Sequence, residues 1–138
     1  MKSKAEIVQI LQTYHEIGET EKAALFLIDE FELNQPNFAG ILLRERAEPN
    51  FILFTAEGEI DNPIYIRIPE NVFEYKFELI INLLAHEMMH VIQKSKLYSI
   101  QVREEREWQA YYEMCFHETF PKVPKASTFH QIFFAKKA

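Results

Sequence analysis

The chain has 138 residues, 48% of them apolar and 14% aromatic, with twelve Phe and only three Gly. This is the length and composition of one globular domain, residues 1–138, and it excludes a disordered or low-complexity chain. A formal charge of −6 without any basic stripe argues against nucleic-acid binding.

Cys115 is the single cysteine, so no intramolecular disulfide can form, which suits a reducing compartment. The N-terminus lacks the uninterrupted apolar core of a signal peptide. The longest apolar run, "FELIINLLA", is interrupted by Glu78 and Asn82 and falls short of the roughly 20 residues of a membrane span. These features read as a cytoplasmic protein with no membrane partner.

In chain order, Ser3 and Glu6 form an S-x-x-E capping-box pattern. Ile7, Ile10, Leu11, Tyr14 and Ile17 follow at helical spacing, and Gly18 ends that helix. Thr20 is placed to cap a second helix, whose apolar stripe is Ala24, Leu27, Ile28 and Phe31 and which "NQPN" at 34–37 closes. Three short stretches rich in β-branched and aromatic residues then predict strands over about 40–45, 51–56 and 63–68. Ile64, Ile66 and Ile68 alternate with Tyr65 and Arg67, the period of a half-buried strand. Pro63 has no N–H to donate, which suits an edge strand.

A helix is predicted from about Glu74 to Ser95, with Phe77, Ile80, Ile81, Leu84, Met88 and Ile92 on one side. Another runs from about Ile100 to Thr119 and is stopped by Pro121 and Pro124. Phe129, Ile132 and Phe133 suggest a short C-terminal helix packing back. The order is two helices, three strands, two long helices.

The third of these helices contains "HEMMH", residues 86–90. Residues four apart share one helix face, so His86 and His90 can converge on one ion. Imidazole is a good zinc ligand. Glu87 is offset by about 100°, beside the ion, where it can take a proton from a zinc-bound water. A random chain of ordinary composition and this length holds H-E-x-x-H well under ~1% of the time. Two solvated histidines are a poor alternative, because unpaired polar groups in so apolar a helix are costly.

A catalytic zinc usually has three protein ligands and one open position. Lys96 and Gln93 exclude the longer form with a third histidine at 96. Cys115 is a possible ligand, but a deformylase-like site would place its cysteine upstream of the histidines, which leaves His117, His130 and the carboxylates of the next helix. That helix reads "REEREWQAYYE". "HEMMH" followed by "EWQAY" at 107–111 resembles the gluzincin metallopeptidases, which have H-E-x-x-H on one helix and a ligating glutamate in an E-x-x-A or E-x-x-x-D pattern on the next. The resemblance covers about residues 40–118 and is closest to minigluzincins.

It implies an α+β, zincin-like fold: a small twisted three-stranded sheet packed against the active-site helix and the glutamate helix, with two helices before them. It also implies zinc held by His86, His90 and Glu107, with Glu87 as general base in peptide-bond hydrolysis. Glu104 is the rival third ligand, one turn earlier. Tyr111 departs from the pattern, since many gluzincins have there an aspartate hydrogen-bonded to the first zinc histidine; its hydroxyl or a backbone carbonyl is the candidate replacement. Tyr98, Tyr111, Tyr112, His117 and His130 are candidates for stabilising an oxyanion.

Trp108, Tyr112, Cys115 and Phe116 are expected to pack into the core. Zincins bind extended peptide along an edge strand, which assigns Ile64, Tyr65 and Ile66 to substrate. The substrate is a peptide or protein. The alternative is a zincin-fold regulatory or binding module without peptidase activity.

Overall fold

Ser3 Oγ accepts a hydrogen bond from the Glu6 N–H at 3.2 Å, and the Glu6 carboxylate accepts from the Ser3 N–H at 3.2 Å. The capping box is therefore closed, and it starts helix α1 (Lys4–Glu16). Gly18, at φ +73°, turns the chain into α2 (Thr20–Glu30). Glu19, and not Thr20, is the cap residue of α2; Thr20 Oγ1 donates instead to the Glu70 carbonyl.

The computed structural model describes residues 1–49, 52–95 and 103–137. After α2 come β1 (Phe38–Arg44), β2 (Thr55–Glu57), β3 (Ile64–Pro69) and a 3-10 turn (Val72–Glu74). The chain continues with α3 (Phe77–Gln93), α4 (Arg103–Phe116) and α5 (Thr128–Lys137). The architecture is α+β, with five α-helices and one small mixed sheet among the described residues. No helix among them is long and apolar enough to cross a membrane.

The strand order is β1-β3-β2, with β3 parallel to β1 and antiparallel to β2. This corrects the edge position expected for β3. Ile64, Ile66 and Ile68 are almost wholly buried, as a central strand requires. Pro63 is tolerated because pairing begins one residue later, where the Ile64 N–H donates to Asn37 O at 2.9 Å. Tyr65 and Ile66 are thus paired on both sides by neighbouring strands, and Ile64 on the β1 side, so this strand is not the edge that an added one would join. β2 is shorter than expected, and residue 51 of the expected strand lies outside the described residues. Gly58 closes the turn that follows β2. It has φ +142°, and a Cβ there would stand 2.8 Å from the Pro63 carbonyl oxygen, so only glycine fits.

α3 runs through the middle of the molecule. Its burial exceeds the single stripe read from the sequence: Ile80, Ile81, Leu84, Ala85, Met88 and Val91 are all nearly inaccessible. A helix apolar on every side is a core helix, and α3 packs against β2, β3 and α4. Burying one side chain the size of Met88 contributes about 1.5–3 kcal/mol. The polar residues of α3 are therefore forced to find partners inside the protein.

Asn82 shows how. Its amide donates to Glu78 O at 2.7 Å and to Pro124 O at 2.9 Å, and its Oδ1 accepts from His117 Nε2 at 2.7 Å. One residue ties the segment after α4 to the core helix. Glu113 secures the same segment, accepting from the N–H groups of Thr119 (2.6 Å) and Phe120 (2.8 Å).

Candidate metal centre

His86 and His90 lie one turn apart on α3, and Glu107 lies on the facing side of α4. His90 Nε2 is 3.0 Å from Glu107 Oε1, His86 Nε2 is 3.8 Å from Glu107 Oε2, and the two Nε2 atoms are 3.3 Å apart. Tetrahedral ligands with bonds of about 2.1 Å stand about 3.4 Å from one another. The distances bracket that spacing, and one donor atom of each residue lies within 4.8 Å of the others, so the group could hold a metal ion. Glu104 is exposed and is not part of the group, nor are Cys115, His117 and His130.

The hydrogen bonds around the rings set which nitrogen faces the cluster. Gln93 Nε2 donates to Arg106 O at 3.1 Å and to Gln109 Oε1 at 2.7 Å. Its Oε1 is therefore the atom that meets His90 Nδ1 at 2.9 Å, and it accepts. His90 carries its proton on Nδ1 and turns the Nε2 lone pair toward the cluster. His86 Nδ1 faces Met114 Sδ at 3.1 Å. A thioether can only accept, so His86 adopts the same tautomer. Metal-ligating histidines generally have such an outer partner. Here the partners are an amide oxygen for His90, and for His86 a sulfur and the Ala110 carbonyl.

Tyr111 does not supply the hydrogen bond expected of it. Its ring packs on His86, centroids 4.5 Å apart, and its hydroxyl makes no hydrogen bond among the described residues. The groups that meet His86 are the Met114 sulfur, one turn further along the same face of α4, and the Ala110 carbonyl.

Glu87 is buried beside the cluster. Burial, reinforced by the charge of Glu107, pushes its carboxyl up to about 8; the Ala56 N–H, Lys94 and Arg44 pull the other way. Burial and the neighbouring His90 hold His86 down at about 3, against the Ala110 carbonyl. Both values describe the chain without an ion; a bound cation favours the carboxylate and the neutral imidazole.

The cluster opens into a cleft of about 560 Å³. One wall is β2 and its flanks, Leu53 to Ala56 and Ile60; the other carries Lys94, Arg103, Arg106 and Tyr111. At the sheet, β2 is the edge strand beside the metal group. Lys94 Nζ donates to Ala56 O at 3.3 Å and Gly58 O at 2.7 Å, pinning β2 to α3.

No protein-family model, no curated protein and no solved structure matches the chain.

The other oxyanion candidates fall elsewhere. Tyr112 donates to Glu118 at 3.1 Å, His117 is bonded to Asn82, and His130 Nδ1 meets Ser127 Oγ at 3.0 Å. Tyr98 lies outside the described residues. The face of α4 expected to enter the core is in part turned outward: Trp108 is 52% and Phe116 62% exposed, stacked in a row through Tyr112. The buried positions of α4 are Ala110, Glu113 and Met114. The sequence reading missed Gln93, Met114 and Lys94. Gln93 had a signal, a buried-side amide three residues after His90; Lys94 and Met114 had none beyond helical spacing.

Proposed function

We propose that the chain is a zinc-dependent peptidase of the gluzincin type. One observation carries the reading: two imidazole nitrogens and a carboxylate converge at 3.0–3.8 Å, with a second carboxylate, Glu87, buried beside them and an open cleft in front. Mixed nitrogen and oxygen donors in this number are a catalytic zinc set. Zinc bound there would lower the pKa of a water to about 7 and polarise a carbonyl.

The chain's own groups do the rest. Gln93 and Met114 hold the two rings with Nε2 forward. Glu87 accepts the proton of the attacking water on its carboxylate and passes it to the nitrogen of the departing amine. Tyr111 covers one side of His86 and keeps water from that face. The apolar wall from Leu53 to Ile60 receives the substrate's non-reacting part.

The test is a peptide library incubated with zinc-loaded protein and read by mass spectrometry. Defined cleavage products are expected, with the rate lowered about 10²–10⁴-fold in Glu87→Gln. Intact peptides with a full equivalent of zinc bound would replace this reading with that of a binding module.

A further inference from the structure

The cleft carries more positive charge than its chemistry uses. The chain as a whole has a formal charge of −6, yet Lys94, Arg103 and Arg106 all line this one cleft. Its two carboxylates are Glu87 and Glu107, and the reading above commits one to the water's proton and the other to the metal. Neither Lys94 nor Arg103 forms an ion pair with a carboxylate among the described residues.

Lys94 rests on neutral acceptors. Its ammonium donates to the carbonyls of Ala56 and Gly58. Glu87 and Glu57 act on it only at longer range. A carboxylate adds to such a bond the Coulomb attraction of opposite charges, which a neutral carbonyl does not supply. Arg103 stands at the start of α4, exposed, its side chain without a hydrogen bond among the described residues. A half-enclosed site also focuses the field of such groups on whatever enters.

We infer that the cleft selects peptides bearing a carboxylate, an Asp or Glu side chain or a free C-terminus, and that Lys94 and Arg103 recognise it. The inference rests on the peptidase reading for what enters the cleft. It adds a consequence for β2. A ligand carboxylate that takes Lys94 frees the Ala56 and Gly58 carbonyls, and of these Ala56 belongs to the cleft wall.

The experiment uses the zinc-loaded full chain carrying Glu87→Gln, so that peptides bind without turnover. Fluorescein-labelled hexapeptides are compared in two matched pairs: Glu against Gln at one position, and free carboxylate against carboxamide at the C-terminus. The acidic member of one pair is expected to bind about three- to tenfold tighter at low salt. The gap should narrow at high salt and collapse in Arg103→Gln and in Lys94→Met. Which pair shows it distinguishes side chain from C-terminus. Because Lys94→Met also unpins β2, the exposed Arg103→Gln variant stands as the independent arm.

Equal binding in both pairs, no binding at all, or a gap surviving both substitutions overturns the inference. The two readings fail separately. Wild-type protein that cleaves acidic and neutral peptides at equal kcat/KM removes the charge selection and leaves the peptidase. Acid-selective binding without wild-type turnover does the reverse.

Discussion

Gln93 and His90 are joined by one hydrogen bond, Oε1 to Nδ1 at 2.9 Å, and the rest of the Gln93 amide is bonded to α4. The same side chain thus orients a ligand and fixes the helix that brings Glu107. Gln93→Leu should lower zinc affinity by about 10–100-fold, measured by competition with a chelating dye. Gln93→Glu keeps an acceptor for His90 but sets a carboxylate oxygen against the Arg106 carbonyl and Gln109 Oε1, so it should recover only part of the affinity. Equal affinity in wild type and Gln93→Leu would show that the bond does not orient the ring.

The choice of third ligand is testable at two neighbouring glutamates. Glu107 reaches both Nε2 atoms, whereas Glu104 is exposed and outside the cluster. Glu107→Ala is expected to purify with well under one equivalent of metal, by elemental analysis after dialysis. Glu104→Ala should keep the full equivalent. Loss of metal in Glu104→Ala with retention in Glu107→Ala would reverse the assignment.

The cluster of His86, His90 and Glu107, close enough to hold a metal ion, was legible in the sequence because it is local. His86, Glu87 and His90 are placed by helix geometry alone, and Glu107 by a motif on one further helix. The sheet order was not legible. Pro63 looks like an edge marker, but it precedes the first paired residue of β3, so its missing N–H costs nothing. Which strand lies in the middle depends on pairing with β1, some 25 residues earlier by the register Ile41↔Ile66. Periodicity in one strand carries no information about that. The row Trp108, Tyr112, Phe116 failed for a similar reason. Helical spacing shows that three residues share a face, not which face the core takes.

Asn82 looked like an interruption of an apolar run, yet it holds three partners. Asn82→Leu leaves the His117 Nε2–H and the Pro124 carbonyl buried without it. The expected loss is about 2–3 kcal/mol, read from denaturant midpoints. A change under about 0.5 kcal/mol, the scale of a neutral surface substitution, would mean that the segment after α4 is secured by Glu113 alone.

In the metal-free chain, His86 and Glu87 move stability in opposite directions with pH. His86 is lowered from 6.5 to about 3, chiefly by burial. The fold therefore favours its neutral form, and its contribution grows as pH rises from about 3 to 6.5. Glu87 is raised from 4.5 to about 8, again chiefly by burial. The fold favours the protonated acid, and that contribution is full below 4.5 and lost as pH rises to about 8. The two slopes oppose each other between 4.5 and 6.5, and only the Glu87 loss remains between 6.5 and 8. Thermal unfolding in excess chelator should therefore show wild-type Tm falling across that upper window. Glu87→Gln, which cannot ionise, should fall less, and the gap between the two should widen toward pH 8. All other titrating groups are common to both proteins, so the difference isolates this carboxyl. Parallel Tm curves from 6.5 to 8 would mean that Glu87 is ionised in the metal-free protein at neutral pH.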